Sequence, residues 1–138
     1  MNNIAIFVSE NLFFCIAFIF VLIMFIVFEI SQSKNSKISL TPENAVIVAN
    51  RGKGVYIDIR KKEDFNKSHI LNAKHVEVQN LEQSLKKLVK NKANAVVLYG
   101  DNADKIVTKL RKDGYENSYT INGGINAWKA SGFPVRNI

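Results

Sequence analysis

The feature that most constrains this chain is a run of 17 consecutive apolar residues, Leu12 to Phe28. As an α-helix the run is about 26 Å long, and Ile30 beyond Glu29 brings it close to the ~30 Å hydrocarbon core of a bilayer. No polar face interrupts it, which disfavours a core helix of a soluble protein. We therefore predict a transmembrane helix over residues 12–30, preceded by a short N-terminal segment, residues 1–11.

A cleaved signal peptide is the alternative interpretation of this segment. Residues 1–10 carry no Lys or Arg, and no small-x-small cleavage site follows the apolar run, so a retained span is favoured. Glu10 precedes the span, whereas Lys34 and Lys37 follow it. The positive-inside rule then places the C-terminal part in the cytoplasm, as a single-pass protein of the inner membrane if the cell is bacterial.

The remainder divides into a polar linker, residues 31–36, and one domain of ordinary size, residues 37–138. All 19 Lys and Arg follow residue 33, against 10 acidic residues. This excess favours anionic surfaces in general, but no recognisable motif indicates nucleic-acid binding. Cys15 is the only cysteine, which excludes an intrachain disulfide and a cysteine-based metal cluster. We expect no metal and no cofactor.

Helix and strand signals alternate along the domain, which predicts an α/β fold with a mostly parallel sheet flanked by helices on both faces. Asn80 is expected to cap a helix that carries Leu81, Leu85 and Leu88 on one face. The predicted strands are 38–40, 55–59, 73–78, 95–99 and 118–121; the predicted helices are 42–50, 62–66, 80–90, 104–112 and 125–130.

The candidate site follows the buried strand Ala95–Tyr99, because ligands bind beyond the carboxyl ends of strands in open α/β sheets. The helix that follows also offers unpaired N–H groups to an anion. The turn between them contains no Cys, Ser or His; it consists of Gly100, Asp101, Asn102, Ala103, Asp104 and Lys105. Its two acids leave open a small-ligand pocket, for instance for a cation.

Two segments resemble the rhodanese domain, a sulfurtransferase fold. The first is VYIDIR at 55–60 followed by SHILNA at 68–73; the second is LRKDGYENSYTINGGINAW at 110–128 followed by Gly132-Phe133-Pro134. The resemblance covers nearly all of residues 38–135. With the apolar helix, it is closest in kind to the membrane-anchored, single-domain rhodanese-like proteins of bacteria.

The resemblance also implies what is missing. Active members of the family have a cysteine at the position of Gly100, at the start of a loop that is about three residues longer. That thiolate attacks a sulfur donor and carries the sulfur as a persulfide. Asp101 and Asp104 add negative charge where an anionic donor would have to lie. The resemblance therefore implies a rhodanese-like domain without its catalytic residue.

Other residues have more ordinary interpretations. Asp58 and Arg60 are expected to form a hydrogen-bonding cluster at a strand end. His69 is expected to cap a turn, Gly123-Gly124 to form a positive-φ turn, and Trp128 to lie in the core. A cluster of lysines is expected to be a solvated face, with lipid or partner contact as the alternative: Lys86, Lys87, Lys90 and Lys92.

Three hypotheses for function follow. The first is a binding or scaffolding module for a protein partner at the membrane. The second is a sulfurtransferase or sulfur-relay component that depends on a partner's thiol. The third is binding of a small ligand by the shortened loop, residues 100–104.

Overall fold

The computed structural model describes the backbone of residues 2–138 and the side chains of residues 3–30 and 37–138. The chain divides into two compact units, residues 1–35 and 36–138, which are described separately.

The N-terminal unit is helical. Helix α1 spans Asn2–Glu10 and helix α2 spans Leu12–Ser36. Helical hydrogen bonding continues across Asn11, whose N–H donates to Phe7 O and whose carbonyl accepts from Cys15 N, both at 3.0 Å. Within α2, Leu12–Ile30 is long and apolar enough to cross a membrane, and no part of it is buried. Residues 31–36, expected as a linker, continue the backbone of α2.

The C-terminal unit contains seven short strands and five helices among its described residues. The strands are β1 (Ser39–Leu40), β2 (Val55–Asp58), β3 (His69–Ile70), β4 (Lys74–His75), β5 (Val96–Tyr99), β6 (Ser118–Ile121) and β7 (Val135–Arg136). The helices are α3 (Pro42–Arg51), α4 (Lys62–Lys67), α5 (Leu81–Leu88), α6 (Ala103–Lys112) and α7 (Gly124–Ala130).

Five of the strands form one parallel sheet in the order β1-β6-β5-β2-β4. The central strand β5 is buried along its whole length. Its alternate residues point to opposite faces of the sheet: Val96 and Leu98 pack into one cluster, Val97 and Tyr99 into the other. The predicted parallel α/β fold is confirmed.

The helices cover both faces of this sheet, as predicted. On one face α5 and α6 contribute Leu81, Leu85, Val107 and Leu110 to the core. On the other face α3 and α7 contribute buried residues that include Ala45, Ala49, Ile125 and Trp128. The sheet is therefore the middle layer of three.

Three details differ from the sequence-based predictions. The strand predicted over 73–78 is limited to Lys74–His75, and Val78–Asn80 forms a turn of 3₁₀ helix. Asn80 does not cap α5 with its side chain, because the chain enters the helix directly from that 3₁₀ turn. Strands β3 and β7 were not predicted; they pair antiparallel in a separate two-stranded sheet.

Candidate functional site

The candidate site lies at the carboxyl edge of the parallel sheet, where β2 and β5 end side by side. Asp58, the last residue of β2, is in register with Tyr99, the last residue of β5. Ile59 continues this pairing, with its N–H 3.1 Å from Tyr99 O. The segment 100–105 therefore begins next to the backbone of Ile59 and Arg60.

Gly100 occupies a position where no side chain fits. Its φ is +138°, in the region that residues other than glycine rarely adopt. A Cβ on Gly100 would lie 2.6 Å from Ile59 Cγ1 and 3.1 Å from Arg60 N. The space that a nucleophilic side chain would need is thus filled by Ile59 and Arg60, which follow β2.

The acids of the loop do not converge on a common point. The Asp104 carboxylate, in the first turn of α6, accepts a hydrogen bond from Thr120 Oγ1 at 2.9 Å, on the strand that lies on the far side of β5 from β2. Asp101 and Lys105 are exposed. Asn102 is left-handed with φ +56° and makes no side-chain cap. Among the described residues, no group of three or more His, Cys, Asp and Glu side chains is placed to hold a metal ion.

Asp58 and Arg60 form a closely hydrogen-bonded pair. Asp58 is fully buried and accepts from Arg60 Nη2 at 2.6 Å and from Arg60 Nε at 3.0 and 3.1 Å. It also accepts from the Arg60 backbone N–H at 2.9 Å. Arg60 Nη2 donates to Ser68 O at 2.7 Å as well. The guanidinium is thereby fixed to the protein at two of its three nitrogens.

Tyr99 lies under this pair. Its ring centroid is 5.4 Å from Arg60 Cζ, and its hydroxyl accepts the Ile70 N–H at 3.1 Å. Burial raises the pKa of the Tyr99 phenol, with the negative charge of Asp58 adding to the effect. Tyr99 is therefore a neutral hydrogen-bonding residue that joins β5 to the segment before β4.

Two histidines lie at the same edge, each held by a carbonyl oxygen. His69 is buried, stacks on Phe65 with ring centroids 3.9 Å apart, and its Nδ1 lies 2.9 Å from Phe65 O. His75 Nε2 lies 2.8 Å from Arg60 O. No sequence motif identifies His75; its signal is the parallel pairing of β2 with β4, which places it opposite Asp58.

A cavity of about 460 Å³ lies beside Arg60 on the β4 side of the edge. Ionisable side chains form most of its wall, and the loop 100–105 contributes none of it. The lining residues are Ile59, Arg60, Lys61, Lys62, Glu63, His75, Glu77, Val78 and Gln79. A concave surface thus persists at this edge, displaced by one strand from Gly100.

The remaining sequence candidates lie away from this edge. Lys86 and Lys87 are on α5, and Lys90 and Lys92 follow it; all four are exposed. Gly123 and Gly124 have φ of +74° and +58° and form the turn into α7. Trp128 is a core residue, 3% exposed, and donates from Nε1 to Pro134 O at 3.1 Å.

Comparison with known proteins identifies relatives over the whole chain and over the domain alone. An uncharacterized protein of Buchnera aphidicola is 27% identical over 98% of this chain and 94% of its own length, so the match includes the apolar N-terminal segment. Thiosulfate sulfurtransferase GlpE of Coxiella burnetii is 30% identical over 55% of this chain and 72% of its own length.

Solved structures with the same fold support this relationship. The crystal structure of the Alr3790 protein from Anabaena superposes with a TM-score of 0.58 at 26% identity, covering 68% of this chain and 90% of that protein. The family model of the rhodanese-like domain matches residues 42–131, a range that includes the sheet edge and the motif segments 55–73 and 110–128. The chain therefore belongs to the rhodanese-like domain family and has thiosulfate sulfurtransferases among its relatives.

Proposed function

We propose that this protein is a membrane-anchored binding module without sulfurtransferase activity of its own, which holds a protein partner at the cytoplasmic face of the inner membrane. The observation that carries the proposal is the geometry of Gly100. A side chain at this position would collide with Ile59.

The chemistry of sulfur transfer explains why that position matters. A thiolate must attack the sulfur donor and hold the transferred sulfur as a persulfide. The chain has no cysteine after Cys15, and Cys15 belongs to the apolar helix α2. The domain therefore contains no thiol that could carry sulfur.

The surrounding charges support the same proposal. In a working site, an arginine at the sheet edge could attract an anionic donor. Here Arg60 Nε and Nη2 are already bonded to Asp58 and Ser68 O. Turning that guanidinium away from Asp58 toward an anion would break these bonds and leave the buried carboxylate with only the Arg60 backbone N–H, which is costly.

Activity is tested on the full chain in detergent with thiosulfate and cyanide, using Coxiella burnetii GlpE as the positive control. We expect thiocyanate formation at the background rate. A rate above background in the wild-type chain would overturn the proposal, and loss of that rate in the Cys15→Ser variant would assign it to Cys15, the only thiol in the chain.

The proposed partner site is the cavity at the edge of the sheet. We would place a photo-crosslinking amino acid at Lys62, which lines the cavity, and at Lys53, which precedes β2 and so lies at the opposite edge of the sheet. In native membranes, a distinct crosslinked product is expected from position 62 and none from position 53. Equal labelling from both positions would contradict a partner at this site.

The sulfurtransferase relatives support one alternative, a sulfur-relay component that works with the thiol of a partner. In that case the protein crosslinked at position 62 carries a persulfide, detectable by mass spectrometry after alkylation of native membranes. A crosslinked partner without persulfide favours the binding module.

A further inference from the structure

A groove between α5 and α6 combines apolar and cationic side chains. Its volume is about 410 Å³. Leu81, Ile106, Leu110 and Tyr115 form an apolar floor, while Lys86 on α5 and Lys109 on α6 line opposite sides. An apolar floor between cationic walls suits an anionic amphiphile.

Lys92 closes one end of this groove. Its Nζ donates to Asp113 O at 2.9 Å and lies 5.2 Å from the centroid of the Tyr115 ring. Glu82 and Asp113 also line the groove, and Glu82 is 3.8 Å from Lys86. Lys92 is therefore bonded within the protein and Lys86 has an exposed acidic neighbour in Glu82, whereas no ion pair of Lys109 occurs among the described residues.

The spacing of the lysines on α6 lowers the stability of that helix. On α6, Lys105, Lys109 and Lys112 follow one another at i, i+4 and i+7, which places them along one side of the helix. Like charges at this spacing destabilise a helix. On the α5 side, Lys86 lies within the helix and Lys90 lies two residues beyond its end. In the part of the chain that the structure describes, Lys90, Lys105, Lys109 and Lys112 make no ion pair.

The charge is also unequal between the two faces of the domain. Helices α5 and α6 together carry six basic and two acidic residues, whereas α3 and α7 carry two basic and one acidic. A merely solvated surface does not require this asymmetry, so an anionic partner on the α5–α6 side is indicated.

We propose that the α5–α6 groove and its lysine rims bind anionic phospholipid at the membrane surface, with Lys86 and Lys109 contacting lipid phosphates. The inference rests on the membrane anchoring in the proposed function and specifies how the domain uses it. Residues 31–36, even fully extended, span only about 20 Å, so the domain remains close to the bilayer. A lysine near an anionic leaflet contributes about 1 kcal/mol of attraction.

The test uses the full chain in nanodiscs of phosphatidylcholine alone or with one third phosphatidylglycerol. Lysines are acetylated briefly, and the extent at each position is measured by mass spectrometry. We expect phosphatidylglycerol to slow acetylation of Lys86 and Lys109 by roughly fivefold, as about 1 kcal/mol of attraction implies, and high salt to abolish the effect. Lys53 and Lys67, which lie outside the groove, serve as internal controls and should not change.

A matched pair of variants separates specific contact from bulk charge. Lys86→Glu/Lys109→Glu should remove the lipid-dependent protection of Lys90, Lys105 and Lys112, whereas Lys53→Glu/Lys67→Glu, with the same change in net charge, should retain it. Equal acetylation in both kinds of nanodisc would overturn the inference while leaving the anchored binding module intact.

Two further results would also overturn it. Protection that requires native membrane proteins, and that phosphatidylglycerol alone does not give, would assign the groove to an acidic protein. A chain that does not enter nanodiscs at all would refute the anchoring itself, and with it this inference.

Discussion

The local structure requires glycine at position 100. Its φ is +138°, and a methyl group added there would lie 2.6 Å from Ile59 Cγ1. We predict that Gly100→Ala destabilises the domain by about 1–3 kcal/mol from backbone strain, with the collision adding to this. Thermal unfolding of the full chain in detergent can be followed by the fluorescence of Trp128, the only tryptophan.

Gly132 provides the matched control for this substitution. It also has a positive φ, +77°, but nothing lies within 4 Å of a Cβ placed there. Gly132→Ala should therefore show the strain without the collision and lower the melting temperature less than Gly100→Ala. Equal shifts would mean that Ile59 moves aside easily and that a side chain can be accommodated at Gly100.

The Gly100→Cys variant tests whether the geometry at this position prevents sulfur transfer. The thiol would be placed at a position with no room for Cβ. We expect a less stable protein that still forms no thiocyanate from thiosulfate and cyanide. Activity in this single variant would show that only the nucleophile is missing and that the rest of the site is functional.

The buried Tyr99 phenol should make the stability of the domain depend on pH in the alkaline range. Its side chain is 1% exposed, and burial raises its pKa, so the folded state favours the neutral phenol. The stability that this preference gives is fully present below the pKa of tyrosine in the unfolded chain, near 10. As the pH rises from there toward the higher pKa of the folded state, the free energy of unfolding falls by up to about 1.4 kcal/mol per pH unit. Tyr99→Phe should lower stability at pH 7, because the Ile70 N–H loses its acceptor.

Above pH 10 the two proteins should behave differently. The melting temperature of the wild type should fall steeply with pH, whereas that of Tyr99→Phe should fall less. The measurement is the slope of melting temperature against pH for both proteins. Parallel slopes would show that Tyr99 ionises in the folded protein.

At the level of elements, α3 offers a test of helix capping. Thr41 Oγ1 accepts the Asn44 N–H at 3.3 Å, and Pro42 occupies the first turn. Thr41→Ala should lower the free energy of unfolding by about 1 kcal/mol. Thr108, whose hydroxyl donates to Asp104 O within α6, is the matched control; Thr108→Ala should be neutral or stabilise by up to about 0.5 kcal/mol. Equal losses would show that the Thr41 side chain does not act as a cap.

The helices and strands that could be predicted are those with several residues in a clear hydrophobic pattern or with a strong helix-capping signal. Strand β5 has a continuous apolar run, and α3 begins at Thr41-Pro42. Strands β3 and β7 have two residues each, too few for any periodicity, and they are defined by tertiary pairing. Asn80 is a favourable cap residue by type, but its backbone belongs to the preceding 3₁₀ turn.

The candidate site was predictable in position but not in geometry. The pattern of strand, turn and helix located residues 100–105, and the absence of a nucleophile can be read directly from the sequence. That Ile59 fills the space, and that Asp104 bonds to Thr120 on another strand, depends on contacts between distant segments. The cavity that includes His75 forms for the same reason, between strands that are neighbours only in the folded sheet.

For the whole molecule, the central prediction is the orientation of the chain in the membrane. Lys34 and Lys37 lie within 20 residues of the end of the apolar helix, whereas the ten residues before it contain no Lys or Arg. Because this bias sets orientation, protease added outside spheroplasts should leave residues 37–138 intact, and protease added to inverted vesicles should digest them. The variant Glu10→Lys/Lys34→Gln/Lys37→Gln reverses the bias and should expose a measurable fraction of chains to external protease. Digestion of the wild-type domain in intact spheroplasts would place it outside the cytoplasm, where a cytoplasmic partner could not reach it.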